Sequence, residues 1–288
     1  MSIKSINPKD LPTSQLHGYL LSAVAPRPIA LASTIDENGN PNLSPFSFFN
    51  VFSANPPVLI FSPARRVRGN TTKHTLENAK KTKEVVINVV NYNIVHQMSL
   101  SSTEYPEGVN EFDKAGFTML ISDKVKPFRV AESPIQMECK VNEIVELGTE
   151  GGAGNLIICE VVKLHIDEKY LDENGAVDQN KLDLVARAGG SYYSRANKGF
   201  FEIPKPLTTL GIGVDQIPEE IRNSTVLTGN DLGMLGNIEE IPTLEDVNKF
   251  AKEHKQYIGI ETTKKHTFAK EFLEKNDVQS AWKALLMK

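Results

Sequence analysis

Residues 65–83 hold the side chains best suited to chemistry. The run RRVRGNTTKHTLENAKKTK contains seven Lys or Arg, one His and one Glu, a net +6 in a chain whose total is −4. Arg65 offers a planar fork of donors, Lys73 a point charge and Thr75 a hydroxyl, all beside a segment that reads as a helix N-terminus. Such a set suits a phosphate monoester, which takes several donors and gains from the helix dipole. A solvated helix flank would also be this basic, and charge alone does not separate the two readings. The rest of the chain is acidic, so a compact anion site fits better than a polyanion groove, and no nucleic-acid partner is expected.

A second group lies at 42–55, NLSPFSFFNVFSAN, read as one polar-studded strand. Ser44, Ser47, Asn50, Ser53 and Asn55 interrupt Phe46, Phe48, Phe49 and Phe52. A flat heterocycle with a polar edge would use both, apolar walls for stacking and short donors and acceptors for the edge. An edge strand with a wet serine face gives the same pattern. Other motifs are weaker. The glycines of GTEGGAG (148–154) open no helix and read as a turn between strands, not a dinucleotide loop. The six histidines and two cysteines show no metal-type spacing. No run approaches a membrane span and the N-terminus has no apolar leader core, so a cytoplasmic protein is expected, with Cys139 and Cys159 as free buried thiols.

The elements that must position these groups are mostly strands. Arg27–Thr34, Ser47–Phe52, Val58–Ser62, Glu84–Val90 and Asn155–Ile166 are apolar or β-branched runs, and Asp36–Asn40 supplies the Asn-Gly pair of a hairpin. Ile135, Met137, Cys139 and Val141 alternate with polar residues, predicting one buried and one wet face, and the phase breaks at Asn142-Glu143 as at a bulge. Short strands with hairpin-sized gaps predict a mainly β fold with peripheral α, a closed or nearly closed sheet. Thr75–Lys83 reads as a helix capped by its threonine, and Ile94–Leu100 as another. Past residue 204 the character changes. Residues 205–242 read as an irregular strap, and the spacing of apolar residues from Leu244 to Leu286 predicts helices, the first capped by Thr243.

RPIALAST (27–34), NLSPFSFFNVFSANPPVLIFS (42–62) and NTTKHTLENAKKTKEVVINVV (70–90) together resemble the flavin reductase-like family of FMN-binding split barrels, which includes flavoredoxin. LVARAGGSYYSR (184–195) resembles the segment that closes that domain. The resemblance covers about residues 15–205, and 211–242 resembles an extension of longer members. It implies a Greek-key split β-barrel over 1–204, a C-terminal helical extension over 205–288, and a homodimer with FMN between subunits. Position by position, it implies that Ser33, Thr34, Ser47 and Phe48 line the ribityl chain and ring, and that Ser53, Ala54 and Asn55 address the pyrimidine edge. Ser62, Arg65, Lys73 and Thr75 would hold the phosphate with Asn78 in support. Arg27, Arg187 and Tyr192 are further candidates, the partner subunit's copies included. Many members have Asp where this chain has His74. The implied activity is transfer of reducing equivalents from NAD(P)H through FMN to a small-molecule or protein acceptor. A flavoredoxin-like electron carrier and a degenerate, non-binding domain are the alternatives.

Overall fold

The computed structural model describes residues 2–106, 108–203 and 210–288. The chain divides into two compact units, Met1–Phe200 and Phe201–Lys288. The junction expected at 204/205 lies outside the described residues.

The first unit is built on one antiparallel sheet. Its strands are β1 (Ala30–Ile35), β2 (Pro41–Phe46), β3 (Phe49–Ala54), β4 (Pro57–Phe61), β5 (Glu84–Val89), β8 (Ile135–Glu146) and β9 (Asn155–Ile166), in the order β2-β1-β5-β8-β9-β4-β3. Two-residue strands β6 (Met119–Leu120) and β7 (Arg129–Val130) form a ribbon, as do β10 (Val185–Arg187) and β11 (Tyr193–Arg195). The order has a geometric consequence. β2 and β3 lie at opposite edges of the sheet, yet only Ser47 and Phe48 separate them in the chain. The sheet must curl until its edges nearly meet, giving a barrel split between β2 and β3.

The barrel interior holds Ala30, Ala32, Phe46, Phe61, Val85, Ile87, Cys139, Ile157 and Cys159, with Leu76 and Ala79 of α2 (His74–Thr82) packed against them. On the other side of β1, Leu31 and Leu43 pack with Met98 of α3 (Val95–Leu100) and Phe112 of α4 (Glu111–Ala115). β1 is therefore buried along its whole length, Ser33 and Thr34 included. α1 (Thr13–Ala23) and the short α5 (Gln179–Leu182) complete this unit.

The hairpin at Asp36–Asn40 is present, with Gly39 at φ +87° and the Asp36 carboxylate accepting from the N–H groups of Asn38 and Asn40. The register of β8 on β9 shifts between Val141 and Glu143, the bulge read from the sequence. Three expectations need correction. The single strand over 42–55 is two strands, broken at Ser47-Phe48 where the chain crosses the split. Thr75 does not cap α2: Lys73 is the N-cap residue, and the Thr75 hydroxyl is buried and bonded to Asn42. The polar face of β8 is wet at Lys140 but not at Gln136 and Glu138, which are buried beneath the loop and ribbon at 121–130.

The second unit is helical. It holds α6 (Glu219–Arg222), α7 (Gly229–Gly236), α8 (Leu244–Glu253), α9 (Thr262–Leu273) and α10 (Val278–Leu286). Capping boxes start α7 (Thr228, Asp231) and α8 (Thr243, Asp246). So the described part of 205–242 is not a plain strap; the glycines at 229, 233 and 236 hid a helix whose cap was legible. The core gathers Leu235, Phe250, Phe268, Leu273, Trp282 and Leu285, and the Trp282 indole N–H donates to the Leu235 carbonyl at 2.9 Å.

Candidate functional site

The basic loop 63–73 runs between β4 and α2. Arg65 and Arg66 are adjacent, but their guanidinium groups take different partners, Asn70 for Arg65 and Thr71, Thr72 and Glu104 for Arg66. The Arg66 guanidinium is tied back by its own loop, to Thr71 Oγ1 at 2.9 Å and the Thr72 carbonyl at 2.8 Å. It faces a cleft lined by Asn42, Ser44, Lys73, His74, Thr75, Glu104, Tyr105 and Glu111, together with the Ser101–Thr103 turn. α2 opens on this cleft with no side chain capping its first turn. Two cations, a helix N-terminus and several hydroxyls thus converge on one place. Glu104 reaches in from the segment after α3. Its carboxylate lies 2.6 Å from Arg66 Nε and 3.6 Å from Lys73 Nζ. The Arg66 hydrogen bond and charge, and then Lys73, hold its carboxyl below the usual carboxylate range.

Beneath the cleft lies a buried neutral network. Asn42 Nδ2 donates to Thr34 Oγ1 at 3.2 Å and Thr75 Oγ1 at 2.9 Å, and Asn78 Nδ2 donates to Thr34 Oγ1 at 3.1 Å. This ties β1, β2 and α2 into one floor. Of the expected residues, Thr34 and Asn78 belong to the floor, Thr75 to both floor and cleft, and Lys73 to the cleft. Glu111 accepts from the Leu43 N–H at 3.0 Å, and burial pushes its carboxyl up despite that bond. Ser33 points to the opposite face of β1, fully buried, with no partner for its Oγ among the described residues.

Ser62 and Arg65 lie outside the cleft lining and brace the loop from behind. The Ser62 hydroxyl accepts from the Asn155 N–H at 3.0 Å, and Asn155 Nδ2 donates to the Pro63 carbonyl at 2.8 Å. The Arg65 guanidinium bonds Asn70 at Oδ1 (2.7 Å) and at its carbonyl (2.9 Å). The Gly-rich turn between β8 and β9 is the cradle for this loop: Arg65 and Ala153 share a backbone bond of 2.8 Å, and a Cβ on Gly151 would come within 2.8 Å of the Val67 carbonyl. The sequence reading names Arg65 and not Arg66; in the structure Arg66 is the one of the pair that lines the cleft with Lys73.

The other expected group sits along the split. Ser47 and Phe48 form the crossing, and the Phe48 carbonyl accepts from Ser62 N–H at 2.8 Å. Ser53, Ala54 and Asn55 lie at the far end of the β3–β4 hairpin. Five residues of β4 at ~3.3 Å each put about 16 Å between that turn and Ser62, a span suited to an extended ligand. β3 is an edge strand with Val51 and Phe52 each 63% exposed, and a bulge between Val51 and Ser53 leaves Phe52 without a ladder partner. Arg27 is buried, with its guanidinium donating to the carbonyls of Leu21, Val24 and Ala188, and its backbone paired to Arg187. It stitches α1 and the β10–β11 hairpin to the start of β1. Tyr192 on that hairpin is exposed.

One trio of metal-ligand types converges among the described residues: Asp123, Glu138 and His165, with ligand atoms within 4.8 Å. The Glu138 carboxylate, however, already accepts from the N–H groups of Asp123, Lys124 and Val125 and lies 2.6 Å from His165 Nε2. The trio clamps a loop. No helix among the described residues is long and apolar enough to cross a membrane.

A model of the flavin reductase like domain matches residues 22–184. An uncharacterized protein of Aquifex aeolicus is 38% identical over 188 residues, 65% of this chain and 93% of that one. Among solved structures, nitrilotriacetate monooxygenase component B from Bacillus cereus has a TM-score of 0.66 at 27% identity, covering 70% of this chain and 100% of its own. A structure from Shewanella frigidimarina described as having a split barrel domain has a TM-score of 0.59 at 27% identity, covering 68% of this chain and 95% of its own. The split barrel read from the sequence is the fold of the first unit, and residues past 184 fall beyond the family match.

Proposed function

Since the chain belongs to the flavin reductase like family, with the flavin-related redox role that family carries, we propose that it binds FMN and passes electrons from NAD(P)H through it to a small-molecule or protein acceptor. The observation that supports FMN is the convergence of Arg66 and Lys73 on the uncapped start of α2, in a chain that is otherwise acidic. That donor set suits a phosphate monoester. Arg66 and Lys73 would grip the phosphate, with Thr75 held in place by Asn42. Ser62 and Arg65 would keep the loop in shape from behind. Ser47, Phe48, Ser53, Ala54 and Asn55 would frame ribityl chain and ring along the β3 edge. The flavin supplies the redox chemistry when bound; the protein supplies orientation and charge. An edge strand carrying Val51 and Phe52 in water is a template for pairing, so the same edge is the surface proposed for a homodimer in the cytoplasm.

The test is the visible spectrum of the purified protein followed by anaerobic addition of NADH or NADPH. Flavin absorbance that bleaches within seconds is the expected result. Bleaching by a reduced partner protein but by neither nucleotide would make the chain an electron carrier. A protein that takes up no FMN would sink the reading. Lys73→Ala should weaken FMN about tenfold or more, the weight of a charged hydrogen bond, and leave riboflavin unchanged.

A further inference from the structure

Among the described residues Glu104 is the one acidic side chain in the cleft within ion-pair distance of both its cations, and neither the floor nor the family-like motifs require it. The Arg66 guanidinium is held on the protein side by Thr71 and Thr72, and the backbone of Lys73 is fixed as the N-cap residue of α2. The anion is on the loose side. Glu104 lies in irregular chain between α3 and α4, and its side chain is 61% exposed, so the carboxylate has water to move into without breaking an element. An exposed carboxylate is ionised at neutral pH, and Arg66 and then Lys73 hold this carboxyl lower still. Its geometry on Arg66, one short charged bond at 2.6 Å with Lys73 standing just beyond bonding reach, is what one phosphate oxygen would adopt there.

Resting on the phosphate reading of this cleft, we infer that Glu104 is an internal competitor for the ligand's phosphate, which must displace the carboxylate before Arg66 and Lys73 can grip it. A phosphate monoester near neutral pH carries between one and two negative charges against the single charge of a carboxylate, so it wins the exchange. The margin is reduced by whatever the Glu104 contacts contribute. Ligands with phosphate bear that reduction; riboflavin, which does not reach the cations, does not.

Glu104→Gln keeps the shape and removes the charge. Fluorescence titration should show FMN binding tightened about two- to fivefold, the range of an exposed ion pair, with riboflavin unchanged. The gain should shrink in high salt. Glu37→Gln, which removes an equally exposed carboxylate paired with Lys81, is the charge control and should change neither affinity. Unchanged or weakened FMN binding in Glu104→Gln, or equal tightening of riboflavin, overturns the inference. Inorganic phosphate, titrated against the Arg66 Nε–H resonance in both proteins, separates this from failure of the flavin reading. If neither protein takes up FMN but phosphate binds more tightly to the variant, the competitor stands and the FMN assignment falls. Equal phosphate affinities overturn the competitor.

Discussion

In the barrel unit Thr34, Asn42, Thr75, Asn78, Asn88 and Glu138 are buried among the strands, whereas in residues 210–288 the buried polar side chains are Asp231 and His266 among the described residues. Thr34, Asn42, Thr75 and Asn78 bond one another, and other buried polar groups of the barrel reach out to backbone. Asn88 donates to the Leu31 carbonyl and accepts from Val130 N–H, Glu111 accepts from Leu43 N–H, and Glu138 accepts from three successive N–H groups. Each pins a loop, a ribbon or, for Glu111, the start of α4 to the sheet. The helical unit instead closes on side-chain packing around Trp282 and starts α7 and α8 with local caps. One unit is specified by hydrogen bonds that are costly to leave unmade, the other by apolar volume. The cleft sits on the first kind, which keeps a floor rigid under an exchangeable layer of surface charge.

The largest expected effect is in the helical unit. Leu273 is 2% exposed at the end of α9, and Leu273→Ala should remove about 2–5 kcal/mol of stability through lost burial and a cavity. The fluorescence of Trp282, the only tryptophan in the chain, reads this unit in a urea titration. A loss well under 1 kcal/mol would mean that this core is loosely packed and the contrast overdrawn.

Next comes Glu138→Gln, which leaves volume nearly unchanged and should still cost about 1.5–3 kcal/mol, the value of a hydrogen-bonded charge. Amide exchange at Asp123, Lys124 and Val125 should quicken in step. The pH dependence sharpens the test. Burial raises the Glu138 carboxyl, but the three N–H groups and His165 outweigh it and leave the folded pKa lowered. Stabilisation is therefore complete above the unfolded value of about 4.3 and fades as pH falls through the folded one. The variant should flatten that acid limb. An unchanged limb would assign the acid sensitivity elsewhere.

These two sites also mark what the sequence made legible. Helical spacing from Leu244 to Leu286 was plain because apolar packing leaves a period, and the caps have a three-residue signature. The barrel strands were legible for the same reason, and Lys73 and Thr75 were found through their charge and helix start. Glu138 was not, since its strand alternates as if one face were wet; the cover comes from residues 121–130, which carry no periodic signal of their own. Arg66 was passed over for Arg65 because composition does not say which of two neighbours turns toward the cleft. Glu104 lies some thirty residues beyond Lys73 in irregular chain, and only the fold brings it to Arg66. The crossing at Ser47-Phe48 was hidden because Phe46, Phe48 and Phe49 read through it as one strand, although two edge strands so close in sequence dictate the split.

The smallest effects separate the two caps of the helical unit. Thr243→Ala removes an exposed box at the start of α8 and should cost about 1 kcal/mol. The equivalent box at α7 is partly buried: Asp231 accepts from the Thr228 N–H at 2.7 Å and hydroxyl at 2.8 Å, and Lys270 Nζ stands 3.7 Å away. Thr228→Ala takes the hydroxyl from a carboxylate that is 8% exposed, so its cost should approach about 2 kcal/mol, the upper end for a cap. Urea titrations of the two single variants and the double variant, read by Trp282, settle the order. Losses that add in the double variant fit two independent local caps. If Thr228→Ala cost no more than Thr243→Ala, burial around Asp231 would be immaterial and the helical unit would be apolar packing throughout.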